Sequence, residues 1–238
     1  MTMHCTSGRR PTILRSLAVS LALGALACTP RIHSIAPLGL EPVTRDTVEA
    51  WLRVYQPGAR VRYDMKWRFV TQKGTTAGRA AVRIAPPDSA RFDFRGPFGR
   101  SGAAMIVADS ALWAVPEKDT RDLLPAAPLF WAALGAPRMP GRDAALYARW
   151  RTGGRAWRYV AGRDTMDFVE IGAGPEGLLT EVRRDGKIVA STEVHFRTGS
   201  RVPLEARLRF PQDGSALLLT VEGVENVANF EASVWRRP

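Results

Sequence analysis

The sequence predicts a mainly β protein whose curled antiparallel sheet of about 11 strands encloses an apolar interior, helped by short helices. Three observations lead to this prediction. Apolar and charged residues alternate over most of the chain, turn residues separate these runs, and the connections between successive runs are short. Short connections favour antiparallel neighbours, and a twisted antiparallel sheet of this size curls upon itself.

The N-terminal residues have the pattern of an export signal. Arg9, Arg10 and Arg15 precede the apolar run 17–27, which ends on small residues. This run is shorter than the roughly 20 apolar residues that span a membrane as a helix, and it is typical of a segment removed after export. We therefore expect a signal peptide over 1–27, a tether over 28–43 and one folded domain over 44–238.

Cys28 directly follows the tripeptide Ala-Leu-Ala, and this junction resembles the lipobox of bacterial lipoproteins. The resemblance implies a diacylglycerol and an N-acyl chain on Cys28, and we expect no other cofactor. Cleavage after Ala27 that leaves Cys28 as a free thiol is the alternative. Thr29, not Asp, follows the cysteine, which by analogy with enteric lipoproteins favours an outer-membrane protein facing the periplasm.

Cysteine content and charge narrow the possible partners. Cys5 is the only other cysteine and lies in the signal, so the mature chain can form neither an intrachain disulfide nor a cysteine metal site. Without the signal arginines the formal charge of +11 falls to about +8, and the arginines are spread singly along the chain. We expect no nucleic-acid partner. Anionic membrane surfaces are one interpretation of this charge, and solvated strand faces are the other.

One helix and about ten or eleven strands are predicted from the periodicity. Val48, Trp51, Leu52 and Tyr55 recur at helical spacing after the candidate N-cap Thr44. Asp185-Gly186 and Asp213-Gly214 are predicted hairpin turns. The strands are predicted at 61–69, 80–84, 92–94, 103–107, 112–115, 157–160, 166–171, 178–183, 188–196, 204–210 and 216–221.

The segment between the two groups of strands is short and very apolar. A single short helix cannot hide this much apolar surface by itself, so we expect it to plug the mouth or the concave side of the curled sheet. It is either a core helix or a movable lid. Its apolar residues are Leu123, Leu124, Leu129, Phe130, Trp131 and Leu134.

Two segments carry a resemblance to a known family. Residues 89–100, Ser-Ala-Arg-Phe-Asp-Phe-Arg-Gly-Pro-Phe-Gly-Arg, resemble a strand and loop of LolB, an outer-membrane lipoprotein family that receives other lipoproteins from the periplasmic carrier LolA. Residues 129–137 resemble the family's Trp-containing helix, and the order of elements agrees over most of 44–235. These motifs resemble those of the LolA/LolB superfamily, and related envelope lipoproteins of the same fold, for which no sorting role is proven, share them.

This resemblance implies an open half-barrel of eleven strands with helices inside and an apolar cavity that holds acyl chains. The implied partners are membrane lipid, lipoprotein acyl chains and a LolA-like periplasmic carrier, with the chain itself a monomer. The side chains that we expect to line the cavity are Met65, Trp67, Phe92, Phe94, Met105, Phe130 and Trp131.

The loop Pro97-Phe98-Gly99 is the predicted membrane contact. The family's protruding loop carries an exposed leucine, and Phe98 occupies that place. A Pro-Phe-Gly tip cannot easily bury its ring, whereas an exposed ring between Arg95 and Arg100 can enter the headgroup boundary while the arginines meet phosphates. The alternative is that Phe98 folds back onto its own sheet.

The sequence gives little support to an enzyme, and we expect none. His33 lies in the tether, His195 lies beside Glu193 on the polar side of a strand, and no Gly-x-Ser-x-Gly elbow occurs. Asp164, Asp167 and Glu170 are expected on a solvated strand face. Two functions remain: an acyl-chain carrier or lipoprotein receptor, and a noncatalytic envelope lipoprotein that binds a protein or glycolipid with the same sheet.

Overall fold

The computed structural model describes residue 35 and residues 39–107, 110–113, 127–139, 141, 143–151, 154–172 and 176–236. The signal segment, Cys28, Leu123 and Leu124 lie outside these residues. Those described fall within one compact unit, Ser34–Pro238. Among them, no helix is both long and apolar enough to cross a membrane.

Helix α1 (Arg45–Tyr55) forms as the periodicity predicts. Thr44 is its N-cap and Asp46 lies in the first turn, where a negative charge is favourable. The helix ends at Tyr55, and its C-cap Gln56 is extended and precedes the Pro57-Gly58 pair. Its buried residues, spaced by three or four positions, are Val48, Trp51, Leu52 and Tyr55.

The described strands form one antiparallel sheet in the order β1-β7-β8-β9-β10-β11-β12-β13-β2-β3-β4-β5-β6. The edges β1 and β6 do not pair with each other, so the curled half-barrel is open and the predicted fold class is confirmed. The strands are β1 (Glu41–Pro42), β2 (Val61–Thr71), β3 (Gly74–Ala85), β4 (Ser89–Arg95), β5 (Ser101–Val107), β6 (Ser110–Trp113), β7 (Ala145–Arg151), β8 (Gly154–Ala161), β9 (Asp164–Ile171), β10 (Gly177–Arg184), β11 (Lys187–Phe196), β12 (Pro203–Phe210) and β13 (Ser215–Asn226).

The sheet contains two meanders, β2 to β6 and β7 to β13, and the pairing of β13 with β2 joins them. Leu219 lies opposite Trp67 and Val221 lies opposite Met65, all four on the apolar face. A bulge between Val221 and Gly223 then shifts the register. Because of this seam, both meanders contribute to a single core.

Helix α2 (Ala127–Ala133) lies between β6 and β7 in the chain and packs on β10, β11 and β12. Gly135, with φ of +70°, ends it: its N–H bonds to the Ala132 carbonyl at 2.9 Å and the N–H of Ala136 bonds to the Trp131 carbonyl at 3.0 Å. This is a Schellman motif, which turns the chain sharply at the end of the helix. Phe130, Trp131 and Leu134 enter the core, as predicted for a plug.

The last described residues lie on the convex, charged face of the sheet. After β13, the N–H of Val227 bonds to the Arg60 carbonyl, and a 3₁₀ turn spans Ala232–Trp235. Arg91 on β4 donates a 2.7 Å hydrogen bond to the carbonyl of Val234. The C-terminal segment is therefore held against the outer side of β4.

Candidate functional site

Six of the seven side chains predicted for the cavity lie together on the concave face. They are all buried, and aromatic contacts link them: Trp67 meets Phe94 edge-on at 5.9 Å, and Phe92 meets Phe130 at 5.9 Å. These contacts connect the sheet to helix α2. The six residues are Met65, Trp67, Phe92, Phe94, Phe130 and Trp131.

The inward placement of Met105 was wrong. On β5, Ala104 pairs with Phe92 and Ile106 pairs with Ala90, so these two residues point to the concave side. Met105 pairs with Arg91 and lies on the convex side, buried to 2% exposure. The error has a simple cause: Ala103 to Ile106 are all apolar, so no alternation indicates which face each one occupies.

Helix α1 closes another part of the concave face. Trp51 packs edge-on against Trp157, and Trp51 and Tyr159 both lie against Phe168. The aromatic surface that these side chains form is continuous with the core. Sequence reasoning found the apolar stripe of α1 but did not assign Trp51 or Tyr55 to this site, although their spacing already indicated one buried face.

A largely buried carboxylate fastens α1 to the sheet. Glu170 on β9 accepts hydrogen bonds on Oε1 from Trp51 Nε1 at 2.9 Å and from the Tyr55 hydroxyl at 2.6 Å. Its Oε2 lies 3.6 Å from Arg155 Nε, and the side chain is 11% exposed. The expected solvation of Glu170 was wrong, because the helix covers this end of β9.

The two other acidic residues of β9, Asp164 and Asp167, differ in their exposure to solvent. Asp167 is buried and bound by Arg158 through hydrogen bonds of 2.6 and 3.0 Å, so its predicted solvation was also wrong. Asp164, at the end of the strand, is solvated as predicted and pairs with Arg184. An arginine beside a strand carboxylate can thus mark either a buried or an exposed pair.

Burial in the apolar interior raises the pKa of three tyrosines. Burial raises the pKa of Tyr63 to about 12. Burial and the hydrogen bond to Glu170 raise the pKa of Tyr55, and burial raises that of Tyr159. In each case the charged phenolate is disfavoured because water is excluded.

Arginines cover the aromatic side chains near the ends of both helices. Cζ of Arg138 lies 4.2 Å from the centre of the Trp131 ring, and Cζ of Arg201 lies 4.2 Å from that of Tyr55. Burial lowers the pKa of Arg138 to about 10. A 3.0 Å hydrogen bond from Gln56 Nε2 to the Pro137 carbonyl joins the segments that follow the helices.

The Phe98 loop protrudes between β4 and β5. Phe98 has φ of 59° and ψ of 30°, Gly99 has φ of 73°, and the N–H of Gly96 closes the loop on the Arg100 carbonyl at 2.7 Å. The Phe98 side chain is 101% exposed. The predicted exposure is therefore found, and the ring does not fold back onto the sheet.

The described residues contain no cluster of three His, Cys, Asp or Glu side chains that could hold a metal ion. His195 lies on the polar side of β11, as predicted, with Nε2 3.2 Å from Glu193 Oε1. Arg209 binds the other oxygen of Glu193, at 3.0 Å. These groups form a partly solvated network on the outer face of the sheet.

No family model and no curated protein matches this sequence. Among solved structures, the LolA superfamily protein NE2245 from Nitrosomonas europaea aligns with 82% of this chain and 98% of its own, at a TM-score of 0.56. This chain has a LolA-like fold. The sequence identity of 9% means that the likeness concerns the fold alone.

A second structure agrees with the LolA-like fold. It is a putative outer membrane lipoprotein-sorting protein domain from Vibrio parahaemolyticus, with a TM-score of 0.53, 9% identity and coverage of 79% of this chain and 94% of that one. The apolar concave face, the two helices that cover it and the β4–β5 loop all belong to the one domain that has this fold.

Proposed function

We propose that this chain is an envelope lipoprotein that takes up acyl chains on its concave face and delivers them to a membrane at the Phe98 loop. One observation carries the proposal: among the described residues, short helices and no second sheet cover the apolar concave face of an open sheet. Moving a helix costs no strand pairing, so this face can exchange helix contacts for contacts with an acyl chain.

An acyl chain can preserve the apolar burial of the sheet when a helix leaves it. An acyl chain that replaces α1 or α2 on the sheet buries comparable apolar surface, at about 25 cal/mol per Å². Helix α2 has only seven residues, and such a short helix is not stable away from its packing surface. Helix α1 is held by the polar contacts of Glu170 as well as by its apolar residues.

The geometry of Phe98 supports the delivery step. A bulky residue in the left-handed region is unfavourable, and the exposed ring gains no burial that would offset the cost. Insertion of the ring into a membrane interface supplies this missing burial. The lipid on Cys28 would keep the domain near that membrane, in the periplasm at the outer membrane, where a LolA-like carrier can supply the cargo.

The test uses as reporters four tryptophans that are buried, among the residues whose side chains the structure describes. Titration of the unlipidated Cys28→Ala protein with a brominated fatty acid should quench their fluorescence saturably, and a lipopeptide should reverse the quenching. Trp131→Phe should reduce the amplitude, whereas Trp235→Phe, on the outer face, should not. The core tryptophans are Trp51, Trp67, Trp131 and Trp157.

Quenching that never saturates, or that no lipopeptide reverses, would show that the concave face is a permanently packed core. The second candidate, a noncatalytic lipoprotein that binds a protein or glycolipid on its sheet, would then be favoured. The tight burial of the concave side chains in the present structure is the observation on its side.

A further inference from the structure

The convex face of β2, β3 and β4 is rich in arginine, and part of it is internally neutralised. Arg62 binds Asp64 at 2.9 Å, Arg91 binds Asp93 at 2.9 Å, and Arg83 also binds Asp93. These ion pairs lie toward the start of β2. On this half of the face, each arginine has a carboxylate in the same or the neighbouring strand.

The half of the face nearer the Phe98 loop differs. Arg79 on β3 lies directly opposite Arg95, the last residue of β4, and both side chains are exposed. Within the part of the chain that the structure describes, no ion pair joins either one to a carboxylate. Like charges directly opposite each other destabilise a sheet, so an anion from outside the protein would stabilise this position.

A groove contains this arginine pair. It has a volume of about 830 Å³, and Ser233 and Val234 of the C-terminal segment line it together with the strands. Its charged lining comprises five arginines against two aspartates, so the groove is positive. These residues are Arg62, Arg79, Arg83, Arg91, Arg95, Asp64 and Asp93.

We propose that the phosphate of an anionic phospholipid headgroup binds between Arg79 and Arg95. The Phe98 loop begins at the residue after Arg95, so one lipid can place its headgroup in the groove beside the inserted ring. Arginine suits this role because its planar guanidinium donates two parallel hydrogen bonds to phosphate oxygens. The proposal rests on the proposed membrane contact of Phe98 and adds its lipid class.

The adjacency of Phe98 favours a lipid over a soluble phosphate. A free anion needs only the arginines, whereas an exposed ring on the loop that follows Arg95 in the chain matches a ligand with both a charged and an apolar part. The attraction should weaken with added salt, because both arginines are exposed to solvent.

The experiment compares two double variants that remove equal charge. Unlipidated Cys28→Ala protein is sedimented with phosphatidylcholine vesicles, with or without about 25% phosphatidylglycerol. Arg79→Gln/Arg95→Gln should weaken binding to the anionic vesicles at least about tenfold. Arg163→Gln/Arg184→Gln, whose arginines already pair with Asp185 and Asp164, should weaken it less than about twofold.

The melting temperature of the first double variant should stay equal or rise, because the repulsion between the arginines is removed. Equal losses in the two double variants would overturn the proposal, since binding would then follow net charge alone. Binding of glycerol 3-phosphate as strong as that of the vesicles would also overturn it, in favour of a soluble phosphate. Fatty-acid quenching is measured in the same variant as a control. If quenching is unchanged while vesicle binding is lost, the loss concerns the headgroup site and not the acyl-chain face.

Discussion

The hydroxyl of Tyr55, the last residue of α1, donates a 2.6 Å hydrogen bond to Glu170 Oε1 on β9. Trp51, one helical turn earlier, donates to the same oxygen. Residues four positions apart share one face of a helix, so a single carboxylate fixes both the position and the rotation of α1 on the sheet.

Removal of this carboxylate should loosen α1. We expect Glu170→Ala to lower the free energy of unfolding by about 1–3 kcal/mol, because two buried donors lose their acceptor. Glu170→Gln retains an acceptor oxygen and should cost less than Glu170→Ala. Urea unfolding followed by circular dichroism measures both, and equal stability of the three proteins would contradict the anchoring role.

Alkaline pH should destabilise the protein through its buried tyrosines. The pKa of Tyr63 is about 12 when folded and near its ordinary value of 10 when unfolded, so the folded state keeps a proton that the unfolded chain releases. Stability is therefore full below pH 10 and is lost as the pH rises towards 12. Tyr63→Phe should reduce the loss of stability between about pH 10 and about pH 12 in urea unfolding. An unchanged loss would show that Tyr63 does not contribute.

Phe98 can be changed without harm to the fold. Phe98→Glu should leave the melting temperature within about 2 °C, because the ring makes no core contact. It should leave fatty-acid binding intact and sharply reduce transfer of cargo to vesicles, because a carboxylate resists entry into an anionic interface. Unfolding of the variant would identify Phe98 as core, and normal transfer would exclude the loop as the membrane contact.

Gly78 permits the close approach of β3, the end of β4 and the Trp67 ring. A Cβ at this position would collide with the Arg95 carbonyl and lie 2.9 Å from the ring of Trp67. We expect Gly78→Ala to cost about 1–3 kcal/mol, as overpacking does elsewhere. Gly58→Ala is the matched control, since nothing lies within 4 Å of its Cβ. Similar melting temperatures for the two variants would contradict the packing argument.

Cys28 is the expected site of lipidation. Cys28→Ser should abolish metabolic incorporation of a fatty-acid analogue and move the protein from the detergent phase to the aqueous phase. The physical reason is that the mature chain has no other thiol to accept the diacylglycerol. Label that persists on the variant would place the lipid elsewhere.

Most strands were predictable because one face of each is apolar and the other charged. The two that were missed have weaker signals. Strand β1 has two residues, too few for any period, and β7 follows a stretch of glycine and proline that reads as a continuing loop. The face of β5 on which Met105 lies and the burial of Glu170 both depend on residues elsewhere in the chain. Local periodicity contains no information about those partners.

The candidate site was predictable to a similar degree. Neighbouring Pro and Gly residues indicated an exposed Phe98, since they prevent the tip from joining a strand. The opposition of Arg79 and Arg95 was not predictable, because it depends on the register of β3 against β4. One residue of slip would have placed these arginines on opposite faces of the sheet.

The seam between β2 and β13 also governs how the chain can fold. Trp67 acquires its neighbour Leu219 only after nearly the whole domain is available, and contacts so distant in sequence form slowly. Until then β2 offers an unpaired edge to any other strand. A chain cut before β13 keeps that edge permanently, so aggregation, not simple loss of one strand, is the expected fate of C-terminal truncations.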